Sequence, residues 1–174
     1  ASGDNFLNWS TGPYPSGFFV GNASYSVIVR ARDQAGNYST TFATSAFVYD
    51  IAAPNSGVTE PSSGVISGLA SARIAGTAQD AGLGSVKFSS VAIKNLATGL
   101  WYNGSDFSVT SADPLWKAVT NIVTGNSATW NYTILNSKLT SGSSYYVVSL
   151  AIDDVNNKEG SGKGLAKAPG AAEV

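Results

Sequence analysis

The sequence predicts an all-β fold, a sandwich of antiparallel sheets, on three observations. Short runs rich in Val, Ile, Tyr, Phe and Thr alternate with clusters of Gly, Pro, Ser and Asn, and no stretch places apolar residues at i, i+3, i+4 and i+7 over several turns. With 174 residues, 43% of them hydrophobic and only 12% charged, the chain has enough apolar content for a real core. The third observation is an internal repeat: Tyr25-Ser26-Val27-Ile28-Val29-Arg30-Ala31-Arg32-Asp33-Gln34-Ala35-Gly36-Asn37 returns in register as Tyr145-Tyr146-Val147-Val148-Ser149-Leu150-Ala151-Ile152-Asp153-Asp154-Val155-Asn156-Asn157, at a constant offset of 120. One strand-to-turn unit copied at fixed spacing marks stacked modules.

Residues 6–9, 25–32 and 42–49 read as the first three strands. Three strands fall short of the seven that usually close such a sandwich, so residues 1–50 are expected to be a partial module holding only its later strands. Asp50-Ile51-Ala52-Ala53-Pro54 is the boundary, because the residue before a proline is held extended. Residues 51–157 then supply seven strands, at 58–60, 72–78, 86–94, 100–102, 106–109, 128–134 and 145–152. Asn103-Gly104, between two of these, predicts a type I′ hairpin turn, since both residues tolerate positive φ. Residues 158–174 form a Gly/Ala/Lys tail, expected to be disordered unless it serves as an exchanged strand.

In the first copy Tyr25, Val27, Val29 and Ala31 form the inward face, and Ile28 is the one apolar exception on the other. The second copy is apolar on both sides: Tyr145, Val147 and Ala151 on one, Tyr146, Val148, Leu150 and Ile152 on the other. Such a strand is covered on both faces, by a loop of its own module or by another molecule. Tyr146, Val148, Leu150, Ile152 and, in the tail, Leu165 are therefore the candidate interface residues. If a neighbouring copy adds the missing strand to an incomplete sandwich, subunits join head to tail into an open filament.

Leu139-x-x-Gly142-x-x-Tyr145-x-Val147-x-x-x-Ala151, and its first copy Phe19-x-x-Asn22-x-x-Tyr25-x-Val27-x-Val29-x-Ala31, resemble the sixth strand of fibronectin type III and bacterial immunoglobulin-like domains. Ala31-x-Asp33-x-x-Gly36-Asn37 is similar to a turn of the tandem immunoglobulin-like repeats of bacterial adhesins and surface proteins. The resemblance covers most of residues 19–157. It implies an immunoglobulin-like β-sandwich, with Tyr25 and Tyr145 as tyrosine corners whose hydroxyls bond to backbone upstream. The second copy departs from the pattern at Asn156, where Gly is expected.

Composition excludes several functions. Net charge is −1 with a pI near 5.2, which gives no basic footprint for nucleic acid, and no apolar run is long enough for membrane insertion. The chain has no His, Cys or Met, which removes Ser-His-Asp triads, Cys nucleophiles, disulfides and ordinary zinc sites. No catalytic constellation is visible, and the adjacent pair Asp153-Asp154 would point to opposite faces of a strand. A bound metal would need oxygen ligands, which points to calcium, with Asp33, Asp50, Asp80 and Asp153 (and Asp154) at the module ends as candidates. The same residue types also make side-chain-to-backbone turn bonds.

Trp101 and Trp116 are candidates for stacking on a glycan, or else for packing the core. Asn8, Asn22, Asn37, Asn103 and Asn131 each begin an N-x-Ser/Thr sequon, close to chance for the composition. Ala1 suits the residue after a small-residue cleavage site, and the Cys-free, Ser/Thr/Asn/Gly-rich composition suits an extracellular, cell-surface location. The expectation is a non-catalytic structural or adhesive protein, its partners being copies of itself or neighbouring immunoglobulin-like modules. The alternative is a carbohydrate-binding accessory module of a secreted enzyme.

Overall fold

The computed structural model describes residue 10 and residues 12–62 and 71–160. They form a hairpin followed by a two-sheet β-sandwich, with one 3₁₀ turn at Asn136–Lys138 and no α-helix among the described residues. The strand expected at 6–9 and the tail segment containing Leu165 lie outside the described residues.

The hairpin pairs β1 (Ala23–Val29) with β2 (Ala43–Tyr49), in register from Ala23↔Tyr49 to Val29↔Ala43. A lone two-stranded hairpin is marginal in water. Here Phe19 caps one face, edge-on to Tyr25 at 4.9 Å and to Phe47 at 5.5 Å, while Tyr25 and Phe47 stack at 5.4 Å. Each such pair adds about 0.5–1.5 kcal/mol beyond its buried area.

After the linker come β3 (Asn55–Glu60), β4 (Ser71–Gln79), β5 (Val86–Asn95), β6 (Trp101–Tyr102), β7 (Phe107–Val109), β8 (Lys117–Ala118), β9 (Thr120–Thr124), β10 (Ser127–Leu135) and β11 (Tyr145–Asp153). One sheet runs β3-β4-β10-β9 and the other β11-β5-β6-β7, with β8 also pairing β5. This is the immunoglobulin-like order, a first sheet of strands A, B, E and D facing a second built on C and F. The two expected copies thus stand as a hairpin and a sandwich.

The core lies between the two sheets. Ala72, Ile74 and Ala78 of β4 and Ala128, Trp130 and Ile134 of β10 meet Val91, Ile93, Tyr102 and Ala151 of the facing sheet, with Tyr145 and Val147 packed against them. Trp130 sits opposite Gly76 in the β10–β4 register, and its indole N–H donates to the Thr77 carbonyl at 3.2 Å. A Cβ on Gly76 would collide with that indole and with the Gly57 carbonyl, so only glycine lets β3, β4 and the Trp130 ring approach so closely.

Three expectations need correction. Strands β8 and β9 lie outside the expected set: Thr120-Asn121-Ile122-Val123-Thr124 does not alternate, and it is an edge strand with Ile122 65% exposed. The Asn103-Gly104 turn is not type I′. Only Gly104 has positive φ (110°), while Asn103 Oδ1 accepts from Ser105 N (2.7 Å) and Asp106 N (2.9 Å), making a longer side-chain-capped loop. Leu150, expected at an interface, is only 6% exposed within the single chain, and Tyr146, Val148 and Ile152 are half-buried there.

Candidate functional site

The repeated sequence folds into the same geometry twice. In the first copy Asp33 N donates to Asn37 O (2.9 Å), Asn37 N to Asp33 Oδ1 (2.8 Å) and Asn37 Nδ2 to Asp33 Oδ2 (3.0 Å). In the second, Asp153 and Asn157 make the same three bonds at 3.1, 2.7 and 2.8 Å. Asn156, where glycine was expected, takes φ 71° against 94° for Gly36, since Asn is the non-glycine residue that best tolerates this region. Asn22 (φ 58°) and Gly142 (φ 76°) show the exchange in reverse. Both tyrosine corners form: Val20 N donates to the Tyr25 hydroxyl (2.6 Å), which donates to Val20 O (3.1 Å), and Thr140 N donates to the Tyr145 hydroxyl (2.7 Å).

What separates the copies is what reaches them. The Asp33–Asn37 turn is exposed and carries both carboxylate bonds locally, and Asn37 holds the Asp33 carboxyl below its usual value. The Asp153–Asn157 turn receives the linker. Asn157 Nδ2 donates to the carbonyls of Asp50 (3.3 Å) and Ala52 (3.1 Å), so the linker is tied to the sandwich. From the hairpin side Asn22 Oδ1 accepts from Ile51 N and Ala52 N, both at 3.2 Å.

This tether delivers Asp50 into a cluster. Asp50, Asp80 and Asp153 are 8%, 0% and 0% exposed, and one oxygen of each lies within 4.8 Å of the others. Asp50 comes from the linker, Asp80 follows β4 and Asp153 ends β11, so three separate segments meet. Two like charges at that spacing repel by about 3 kcal/mol at an effective dielectric near 20. Burial, the largest cause, pushes the Asp80 carboxyl above its ordinary value; the bond from Gly82 N opposes this, and the charges of Asp50, Asp153 and Asp154 add to the rise.

The loop between Asp80 and Val86 wraps the cluster. Gly82 N donates to Asp80 Oδ1 (2.8 Å), and Asp154 N donates to Ser85 O (3.0 Å) while Ser85 N donates to Asp154 Oδ1 (3.3 Å). A Cβ on Gly84 would collide with Asp50 Oδ2 and come within 2.7 Å of Asp80 Oδ2 and 2.9 Å of Asp154 Oδ1. Among the described residues neither Asp50 Oδ2 nor Asp80 Oδ2 has a hydrogen-bond partner. Two buried, unbonded carboxylate oxygens therefore face the same point beside Gly84.

Of the expected metal ligands, Asp50, Asp80 and Asp153 converge, whereas Asp33 is not part of the cluster. Trp101 is 2% exposed, with its indole N–H donating to Ser111 O (3.0 Å), so its face is not offered to a sugar; Trp116 is half-buried before β8. Among the sequons, Asn8 lies outside the described residues. Asn37 Nδ2 is bonded to Asp33, Asn103 Nδ2 to Asp106 Oδ1 (2.7 Å) and Ser108 Oγ (2.9 Å), and Asn131 is half-buried on β10. Asn22, expected as a sequon and as the counterpart of Gly142 in the repeated motif, holds the linker.

No protein-family model matches the chain, and no curated protein sequence matches it significantly. Among the described residues no helix is long and apolar enough to cross a membrane.

Proposed function

We infer that the chain is a non-catalytic structural piece of an extracellular, tandem immunoglobulin-like protein, in which successive modules are held at a fixed mutual orientation. The observation that carries this reading is the double hold on the linker. Asn22 on the hairpin side and Asn157 on the sandwich side bond to the peptide groups of one short segment, residues 50–52. A linker left to solvent satisfies its backbone with water and swivels; one whose N–H and C=O groups are bonded from both sides cannot turn without breaking those bonds. The paired Asp–Asn turns and tyrosine corners support a unit repeated along a longer array. The absence of His and Cys from the sequence favours a mechanical over a chemical role. The glycan-binding alternative loses its main support with the burial of Trp101.

The test uses the lack of native cysteine. Spin labels placed through Ser26→Cys on β1 and Ser105→Cys in the β6–β7 loop, both exposed, report the distance between hairpin and sandwich. A single narrow distribution that broadens on Asn157→Ala is expected. A broad distribution in the parent protein overturns the reading.

A further inference from the structure

We propose that the pocket formed by Asp50, Asp80 and Asp153, with Asp154 at its rim, is a calcium site that joins the linker to the sandwich. Three features point to a ligand. Three carboxylates from separate segments are buried with oxygens within 4.8 Å of one another. Second, Asp50 Oδ2 and Asp80 Oδ2 are buried without a hydrogen-bond partner, although the other oxygen of each is bonded, Asp50 Oδ1 by Ala52 N (2.9 Å) and Asp80 Oδ1 by Gly82 N (2.8 Å). Each carboxylate is thus oriented by one oxygen and presents the other. Third, the wall opposite is Gly84, whose missing side chain leaves space against three of the carboxylates; any Cβ there would fill it.

The donor chemistry selects the ion. All donors are hard oxygens and the sequence has no His or Cys, which disfavours zinc and copper. Magnesium requires near-ideal octahedral geometry and retains several waters, whereas calcium accepts irregular sets of carboxylates at longer distances. Ligands fixed by backbone bonds on three different segments suit calcium. The site lies at the same junction as the proposed structural role but does not rest on it: calcium can bind whether or not the modules keep one orientation, and the measurements below read binding, not orientation.

The test is a calcium titration of the whole chain after chelator treatment, followed by calorimetry and by thermal melting. One calcium per chain is expected, with a melting temperature higher by about 5 °C or more at a hundredfold excess over Kd, and a clearly smaller rise with equal magnesium. Absence of both binding heat and melting shift at about millimolar calcium, the range of the weaker extracellular sites, overturns the proposal. The variant Asp50→Asn adds a sign test. It keeps the Oδ1 acceptor for Ala52 and removes one charge, so in chelator it should melt above the parent, relieved of repulsion, and in calcium below it. A shift of the same sign in both buffers overturns the proposal in favour of a protonated carboxyl cluster. Asp33→Asn should leave the calcium response intact; its loss would place the ion elsewhere and overturn the assignment. The parent titration needs no variant to fold.

Discussion

Asn22 and Asn157 grip the same linker from opposite ends of the chain's fold. Asn22 Oδ1 accepts the N–H groups of Ile51 and Ala52, and Asn157 Nδ2 donates to the C=O groups of Asp50 and Ala52, so the peptide groups around Ala52 are satisfied on both edges by side chains. Asn37 occupies the position of Asn157 in the first copy and bonds only within its own turn.

Asn157→Ala should therefore cost more than Asn37→Ala. The first removes side-chain bonds to Asp153 and to two linker carbonyls in a partly buried site, the second one bond to Asp33 in an exposed turn. With net values near 1 kcal/mol per bond, losses of about 2–3 and at most about 1 kcal/mol are expected. Urea denaturation of both variants measures the difference; equal losses would mean that the linker bonds contribute nothing.

Gly76→Ala should destabilise the sandwich by about 3 kcal/mol or more, because its methyl must displace either the Gly57 carbonyl or the Trp130 ring in a close-packed core. Gly57→Ala is the control. Nothing lies within 4 Å of a Cβ there and its φ is not positive, so a change within about 0.5 kcal/mol is expected. A tolerated Gly76→Ala, read by thermal melting, would refute the packing account of this glycine.

Much of this was legible beforehand because it is local. The Tyr-led strands and the Asp/Asn turns are written in alternation, turn chemistry and a duplicated string. The convergence of Asp50, Asp80 and Asp153 was legible only as three separate acidic turn residues, since their meeting depends on where the linker lands after Asn157 takes it. The Asp33 and Asp153 turns make the same bonds within themselves; the difference lies 105–107 residues away in sequence, in the linker that crosses only the second. β9 carries no such signal because an edge strand needs no buried face, and Glu159 none because a single acid in a Gly/Lys-rich stretch has no periodicity.

The Asp33–Asn37 turn gives a prediction about acid. Side-chain bonding from Asn37, then its backbone N–H, lowers the Asp33 carboxyl below its ordinary value. A carboxyl depressed in the folded state contributes stability that is present above its unfolded pKa and lost as pH falls through the folded one. Carbon-detected NMR titration should find Asp33 titrating below an ordinary Asp, and Asn37→Ala should move it back up. An unchanged midpoint in the variant would show that Asn37 is not the cause.

Glu159 supplies the last prediction, since it bonds both sheets at once. Its Oε1 accepts from Ser56 N (2.7 Å) on β3, and its Oε2 accepts from Ser56 Oγ (2.6 Å) and from Ala151 N (2.8 Å) on β11. Ser56 Oγ also lies 2.8 Å from Ser149 Oγ. Bonds to a charged acceptor are worth about 1.5–3 kcal/mol each where partly desolvated, and their loss here would leave Ser56 N and Ala151 N without this acceptor. Glu159 is half-buried, so water replaces part of what is lost; Glu159→Ala should cost about 2–4 kcal/mol in all, and Glu159→Gln, which keeps one carbonyl oxygen, about half that. Ser56→Ala should cost about 1 kcal/mol alone and less in the Glu159→Ala background, because the bond to the carboxylate is already gone and only the one to Ser149 remains. A double-mutant cycle by chemical denaturation measures this coupling, and strictly additive losses would mean that Ser56 and Glu159 do not act as one bridge between the sheets.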